Sequence, residues 1–116
     1  MWLQYINRHP TGLWLMVGYP TSVCDGEGGG WGSRGWYRLE PGSSVLPLVT
    51  FQPNTTFYAE ADDGGTWSGP YVVTVPLQAF DDYCWNVAST AGQRVGMRLL
   101  TSDNSVFNYV RGIALA

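Results

Sequence analysis

The sequence predicts an all-β domain, an antiparallel β-sandwich or small barrel of about seven to eight short strands. Three observations lead there. Runs of β-branched and aromatic residues recur with turn residues roughly every 8 to 12 positions. The chain carries 15 glycines and 7 prolines, which punctuate those runs. One stretch only, 79–89, patterns as a helical turn, with Asp81 or Asp82 able to cap it and Gly92 to end it. At 116 residues the chain is expected to form a single domain, 1–116.

The first run, Trp2 to Asn7, alternates Leu3 and Tyr5 against Trp2, Gln4 and Ile6. Arg8 to Gly12 is a turn, because Pro10 and Gly12 both break regular structure. Leu13 to Tyr19 puts Leu13, Leu15, Val17 and Tyr19 on one face and Trp14 and Met16 on the other. Both faces are apolar, so this strand should be central and covered on each side. Residues 20–35 hold six glycines along with Pro, Ser, Thr and Asp, and read as a long glycine-rich loop in which order resumes at Trp31. A short strand follows from Gly35 to Leu39, and Pro41-Gly42 is its exit turn.

Val45 to Phe51 contains Pro47, which lacks a ladder donor and therefore marks an edge or a bulge. Thr55 to Ala61 alternates, with Phe57, Ala59 and Ala61 inward and Thr56, Tyr58 and Glu60 outward. Asp62 to Gly65 turns the chain, Pro70 to Val75 is a further strand, and Pro76 ends it. Gln93 to Thr101 places Val95, Met97 and Leu99 on one face with Arg94 and Arg98 on the other. Residues 102–105 connect it to a last strand, Val106 to Leu115.

Composition narrows the function classes. Charged residues make up 13% of the chain, against roughly 25% in ordinary soluble domains. Aromatic residues reach 15%, so the surface is covered largely by Ser, Thr, Asn, Gly and tyrosine hydroxyls. A net charge of −3 argues against nucleic acid as a partner. All 6 basic residues are arginine, which makes planar and stacking contacts that lysine cannot. No stretch reaches the ~18 to 20 apolar residues of a membrane span. The first residues lack the basic start and apolar run of a signal peptide, yet the composition points to secretion or the cell envelope.

Cys24 and Cys84 are the only cysteines. They are either one disulfide closing a long loop or two unpaired thiols. With one histidine and no C-x-x-C spacing, no metal site is expected, and no cofactor motif is present. His9 stands in a turn between Arg8 and Pro10, and no Gly-x-Ser-x-Gly elbow exists, so the parts of a hydrolytic triad are missing. The acid pairs Asp62-Asp63 and Asp81-Asp82 fit turn capping better than the facing carboxylates of a glycosidase. Asp25 and Glu27 have no calcium-loop spacing.

The binding candidates are aromatic. Trp14 reads as core, Trp2 and Trp85 can be core, and Trp36 belongs to a strand. Trp31 and Trp67 stand among glycines and are the expected exposed rings, with Arg34 as a helper. Arg94 and Arg98 either meet acidic residues of a partner or lie on a solvated face with Glu60 or Asp103.

One order of residues has a known parallel: Asn7, Val17-Gly-Tyr19, Trp31, Gly35-Trp-Tyr37, Leu39, Pro41-Gly42, Tyr58-Ala59, Trp67-Ser-Gly69 and Phe80. This order resembles the bacterial family called domain of unknown function 1036 across residues 5–84. Where that family tends to place cysteines, this chain has Ile6, Ser43-Ser44 and Val72-Val73; Cys84 alone falls near a family cysteine. The resemblance implies a small secreted or envelope-associated β domain and brings no catalytic residues. The expected function is therefore non-enzymatic binding of a protein partner or of its own copies through aromatic loops. Carbohydrate binding on exposed tryptophans is the alternative, and glycan hydrolysis the remote one.

Overall fold

A computed structural model describes residues 2–24, 30–50, 52–78, 80–84, 92–101 and 110–116. Ten strands run through them: β1 (Trp2–Asn7), β2 (Leu13–Pro20), β3 (Trp31–Leu39), β4 (Ser44–Val49), β5 (Asn54–Ala61), β6 (Thr66–Trp67), β7 (Tyr71–Val75), β8 (Phe80–Cys84), β9 (Gln93–Thr101) and β10 (Val110–Leu115). Two sheets pack together. The smaller has the order β10-β1-β4, the larger β7-β9-β5-β2-β3-β8, with β6 paired to β5. Among the described residues every pairing is antiparallel except β1 with β10.

The all-β sandwich matches the sequence expectation; several details differ. Residues 80–84 form strand β8 against β3, not a helical turn, while 79 and 85–89 lie outside the described residues. The glycine-rich loop is shorter than expected, because β3 already begins at Trp31 opposite Pro20. A 3-10 turn at Ser22–Cys24 and hydrogen bonds from Thr21 N to Gly30 O (2.8 Å) and Gly30 N to Cys24 O (2.9 Å) close what remains. The loop midpoint 25–29, with Asp25 and Glu27, falls outside the described residues, as do Phe51, Trp85 and the expected connection at 102–105. The count of ten exceeds the expected seven to eight partly because β6 is only two residues long and β8 replaces the helical turn.

The main core fills the space between the sheets. Leu13, Leu15, Val17 and Tyr19 of β2, with Phe57, Ala59 and Ala61 of β5, meet Leu3, Tyr5, Leu48 and Leu115 of the small sheet. Each Leu, Val or Phe among them, fully buried, contributes about 1.5–3 kcal/mol. Tyr5 and Phe57 pair across the layers, ring centroids 5.4 Å apart. Buried Asn7 locks one end: its Nδ2 donates to the carbonyls of Thr11 and Leu39, both at 3.0 Å, and its Oδ1 accepts the His9 N–H at 2.8 Å. β4 is an edge strand, as Pro47 requires, and the β1–β4 register shifts between Leu3 and Tyr5, so edge and bulge coincide. Gly42 closes the expected exit turn with φ 82°.

The other face of the large sheet is also covered, which the alternation in β5 did not foretell. Thr56 and Tyr58, expected outward, are buried. The reason is that β9 pairs with β5 through residues 98–101 and with β7 through 93–97, curling the sheet into a half-barrel. Met16, Tyr58, Val73, Val75, Val95 and Met97 form a second core inside it, with Trp36 and Phe80 packed against them. Trp36 is the extra residue where the β2–β3 register shifts from Leu15↔Tyr37 to Met16↔Gly35. Gly35 is required there: a Cβ would lie 2.8 Å from the Met16 Cβ.

Candidate functional site

The curl creates a trough, and strand parity places its contents. Trp14 and Met16 (β2), Asn54, Thr56, Tyr58 and Glu60 (β5), Tyr71, Val73 and Val75 (β7), and Gln93, Val95, Met97 and Leu99 (β9) all share its inner face. The second core plugs the middle. Among the described residues each end is left open, one beside Trp14 and Trp36 and the other beside Trp31.

At one end a cleft of about 380 Å³ is lined by Trp14, Trp36, Glu60, Leu77, Gln78 and Gln93. Trp14, expected in the core, is 41% exposed. It stands at the start of β2, directly opposite Glu60 on β5 and Arg38 on β3, beyond the reach of the second core. The Arg38 guanidinium lies over the Trp14 ring, its carbon 5.3 Å from the centroid. Arg38 is in turn held by Asp62 through two hydrogen bonds and by Glu40 through Nε at 2.9 Å. Those bonds keep Asp62 below the usual carboxylate range and raise Arg38 above its own. Trp36 is fixed as firmly: its Nε1 donates to Pro76 O at 3.0 Å, and its ring meets Tyr58 and Phe80 edge-on. Tyr58 Oη donates to Glu60 Oε2 at 3.0 Å. Burial first, and then this bond to Glu60, pushes the Tyr58 hydroxyl up to about 12. The cleft thus offers two positioned rings, one carboxylate and two amides able both to donate and to accept.

At the other end a hollow of about 260 Å³ is lined by Trp31, Asn54, Thr56, Tyr71 and Leu99. Leu99, though on the expected face of β9, is exposed there rather than buried.

The residues singled out in the sequence are not gathered into one site. Trp31 is in strand β3, not a loop, and is half-buried at the second hollow. Trp67 is also in a strand, opposite Ala59, and packs against the main core on the far face of the large sheet. Its ring meets His9 edge-on at 5.2 Å. The pair therefore makes no common platform. Arg34 is engaged internally: its Nη1 donates to Pro47 O at 3.0 Å and its guanidinium lies over Tyr19 at 5.2 Å. Arg98 donates to Ser68 O at 3.1 Å and lies over Phe57 at 5.9 Å; Asp103, its other expected neighbour beside Glu60, lies outside the described residues. Arg94 is exposed, on the outer face of β9.

Cys24 and Cys84 are bridged, with their Cα atoms 5.4 Å apart. The disulfide ties the 3-10 turn to β8, and Cys84 pairs with Gly32. Of the acid pairs, Asp62 serves Arg38. Asp63 accepts Gly65 N at 3.0 Å and faces His9 Nε2 at 2.7 Å, and these contacts, the backbone one foremost, hold it below the usual carboxylate range. The side chains of Asp81 and Asp82 are outside the described residues. Among the described residues no group of three or more His, Cys, Asp or Glu side chains could hold a metal ion, and no helix is long and apolar enough to cross a membrane.

Sequence reasoning missed Trp14, Trp36, Glu60, Gln78 and Gln93 as neighbours. One signal was present: Trp14 follows immediately on the Thr11-Gly12-Leu13 exit from a turn, and a side chain at a strand end can project past whatever covers the strand. Compared with known proteins, the chain matches no family model, no curated protein and no solved structure.

Proposed function

We propose that this domain is a non-enzymatic carbohydrate-binding module whose site is the Trp14–Trp36 cleft. The observation that carries the proposal is the exposed Trp14 ring beside Glu60, Gln78 and Gln93. A pyranose has an apolar face of C–H groups that packs on the negative face of an indole, and an equatorial rim of hydroxyls that needs both donors and acceptors. The cleft volume falls within the ~300–1,000 Å³ of small-molecule sites. Trp14 is stacked against Arg38 and Trp36 is hydrogen-bonded, so little ordering remains to be done on binding. Asp62 is engaged by Arg38, and Asp63 by His9 and the Gly65 amide, which supports binding without turnover.

Titration calorimetry against a panel of soluble oligosaccharides tests this. The parent protein binds at least one with a saturable signal, and Trp14→Ala loses it with the fold intact by circular dichroism. A parent that binds no saccharide ends the reading.

Association with its own copies is the second reading. Val49, Trp2 and Val110 are directly paired across β4, β1 and β10, and all three are exposed on the small sheet. Light scattering at high concentration decides it: a strict monomer removes it. The disulfide and the low charge support an oxidising compartment, secreted or in the envelope. On the same footing we propose kinship with the domain of unknown function 1036 family, which residue spacing supports.

A further inference from the structure

No cation among the described residues pairs with Glu60. Among the described residues it is the one ionisable side chain lining the cleft, and Tyr58 Oη, a neutral donor, is its hydrogen-bond partner. Tyr58 takes Oε2, leaving the other oxygen to serve a ligand. The nearest candidate counter-ion in the ladder is Arg38, across β2 from Glu60. Its fork is closed on both Asp62 oxygens and its Nε on Glu40. That cluster of one cation and two carboxylates is itself net negative, so it does not neutralise Glu60. Arg94, on the neighbouring β9, belongs to the outer face and is directed away from the trough. The chain as a whole carries −3.

The rest of the cleft has the same preference. The faces of Trp14 and Trp36 are the negative regions of their quadrupoles and favour a positive group over them. Gln78 and Gln93 are neutral and accept a donor as readily as they donate. Nothing among the described lining residues rewards an anion: a uronic acid, a sulfated sugar or a phosphosugar would place its charge against Glu60 with no compensating arginine.

We infer that the cleft selects saccharides bearing a free amino group, an amino sugar whose ammonium pairs with Glu60 while its ring stacks on Trp14. This rests on the carbohydrate reading and adds the charge of the ligand to it. Recognition here is non-covalent, and the charge-assisted bond to Glu60 supplies the discrimination.

The test uses three probes on the full chain by titration calorimetry: hexamers of glucosamine, of N-acetylglucosamine and of glucose. The first differs from the second only by removal of the acetyl groups that cancel its charge. The expected result is glucosamine hexamer bound roughly tenfold or more tighter than either control, the scale of a charge-assisted over a neutral hydrogen bond. Glu60→Gln, which keeps the acceptor for Tyr58 and the shape of the side chain, should reduce that preference to within about twofold. Equal binding of all three hexamers overturns the inference and leaves the carbohydrate reading standing. A preference that survives in Glu60→Gln also overturns it, because the discrimination then originates elsewhere. No binding of any hexamer by the parent overturns the inference, and the carbohydrate reading is then decided by the wider oligosaccharide panel. Trp14→Ala is the companion variant: it loses all three, whatever the charge.

Discussion

Arg38 and Asp62 meet through two parallel hydrogen bonds, Nη1 to Oδ1 at 2.8 Å and Nη2 to Oδ2 at 2.6 Å. The fork matches the carboxylate, which fixes the plane of the guanidinium as well as its position. The guanidinium carbon lies over Trp14, so an ion pair at the surface holds a cation against an aromatic ring. The pair also explains Gly12. A Cβ there would collide with Arg38 Nη2.

Gly12→Ala should therefore displace the guanidinium without changing any charge. The expected outcome is a red-shifted tryptophan emission and a several-fold loss of saccharide affinity, with circular dichroism unchanged. Fluorescence and calorimetry on the one variant check both.

Acid should weaken the fold through the same turn. Asp62 is held low by Arg38, and Asp63 by the Gly65 amide and then His9. An aspartate whose folded pKa is depressed contributes stability above its unfolded value of ~3.9, and that contribution is lost as pH falls through the folded value. The urea midpoint should accordingly fall below about pH 4. Arg38→Met removes the share of Asp62, so its midpoint should fall less steeply over the same range; parallel slopes would show that the pair contributes nothing.

The disulfide spans a sequence separation of 60. In the chain-entropy model such a loop is worth about 4 kcal/mol. Cys24→Ser with Cys84→Ser should lower the urea-extrapolated stability by that order, with a lower midpoint and a steeper slope, because the unfolded chain without the crosslink exposes more surface. A change under about 1 kcal/mol would mean that the unfolded chain is already compact around these residues.

Gly35→Ala forces a methyl to within 2.8 Å of the Met16 Cβ and 3.2 Å of the Leu15 carbonyl. Both are strand atoms with little room to yield, so the variant should lose about 1–3 kcal/mol. Thermal melts followed by near-ultraviolet circular dichroism would report it, because Trp36 adjoins the site.

Asn7→Ala leaves the Thr11 and Leu39 carbonyls and the His9 N–H without their partner. The cost should be about 3 kcal/mol in total. Urea titration checks this, and Asn7→Asp should be destabilised too, since it keeps the acceptor but loses both donated bonds.

Most of the architecture was legible because period-two alternation and turn chemistry are local. Leu3 and Tyr5, Leu13 to Tyr19, Pro47 at an edge and Gly42 in a turn all follow from residues within a few positions of one another. The site was not legible, because it depends on register between strands distant in the chain. Trp14 was read as core since its own stretch shows that it stands at a strand end but not where the β7–β9 layer, distant in the chain, stops. Glu60 was read as a solvated residue since its facing of Trp14 depends on the pairing of β2 with β5. Trp67 was read as exposed from its glycine neighbours, whereas its pairing with Ala59 turns it to the main core. A strand at 80–84 was missed because an edge strand is stabilised by its partner, β3, more than by its own residues.

The plug of Met16, Tyr58 and Met97 has a consequence for how such a chain can diversify. The residues lining one mouth of the trough are disjoint from those lining the other. Changes at sites without shared partners add with little coupling. Substitutions at Gln78 or Gln93 are therefore free to retune one mouth while Trp31 and Tyr71 keep the other as it is. The fold holds two separately editable addresses on one rigid frame, and specificity at each can drift without taxing the other.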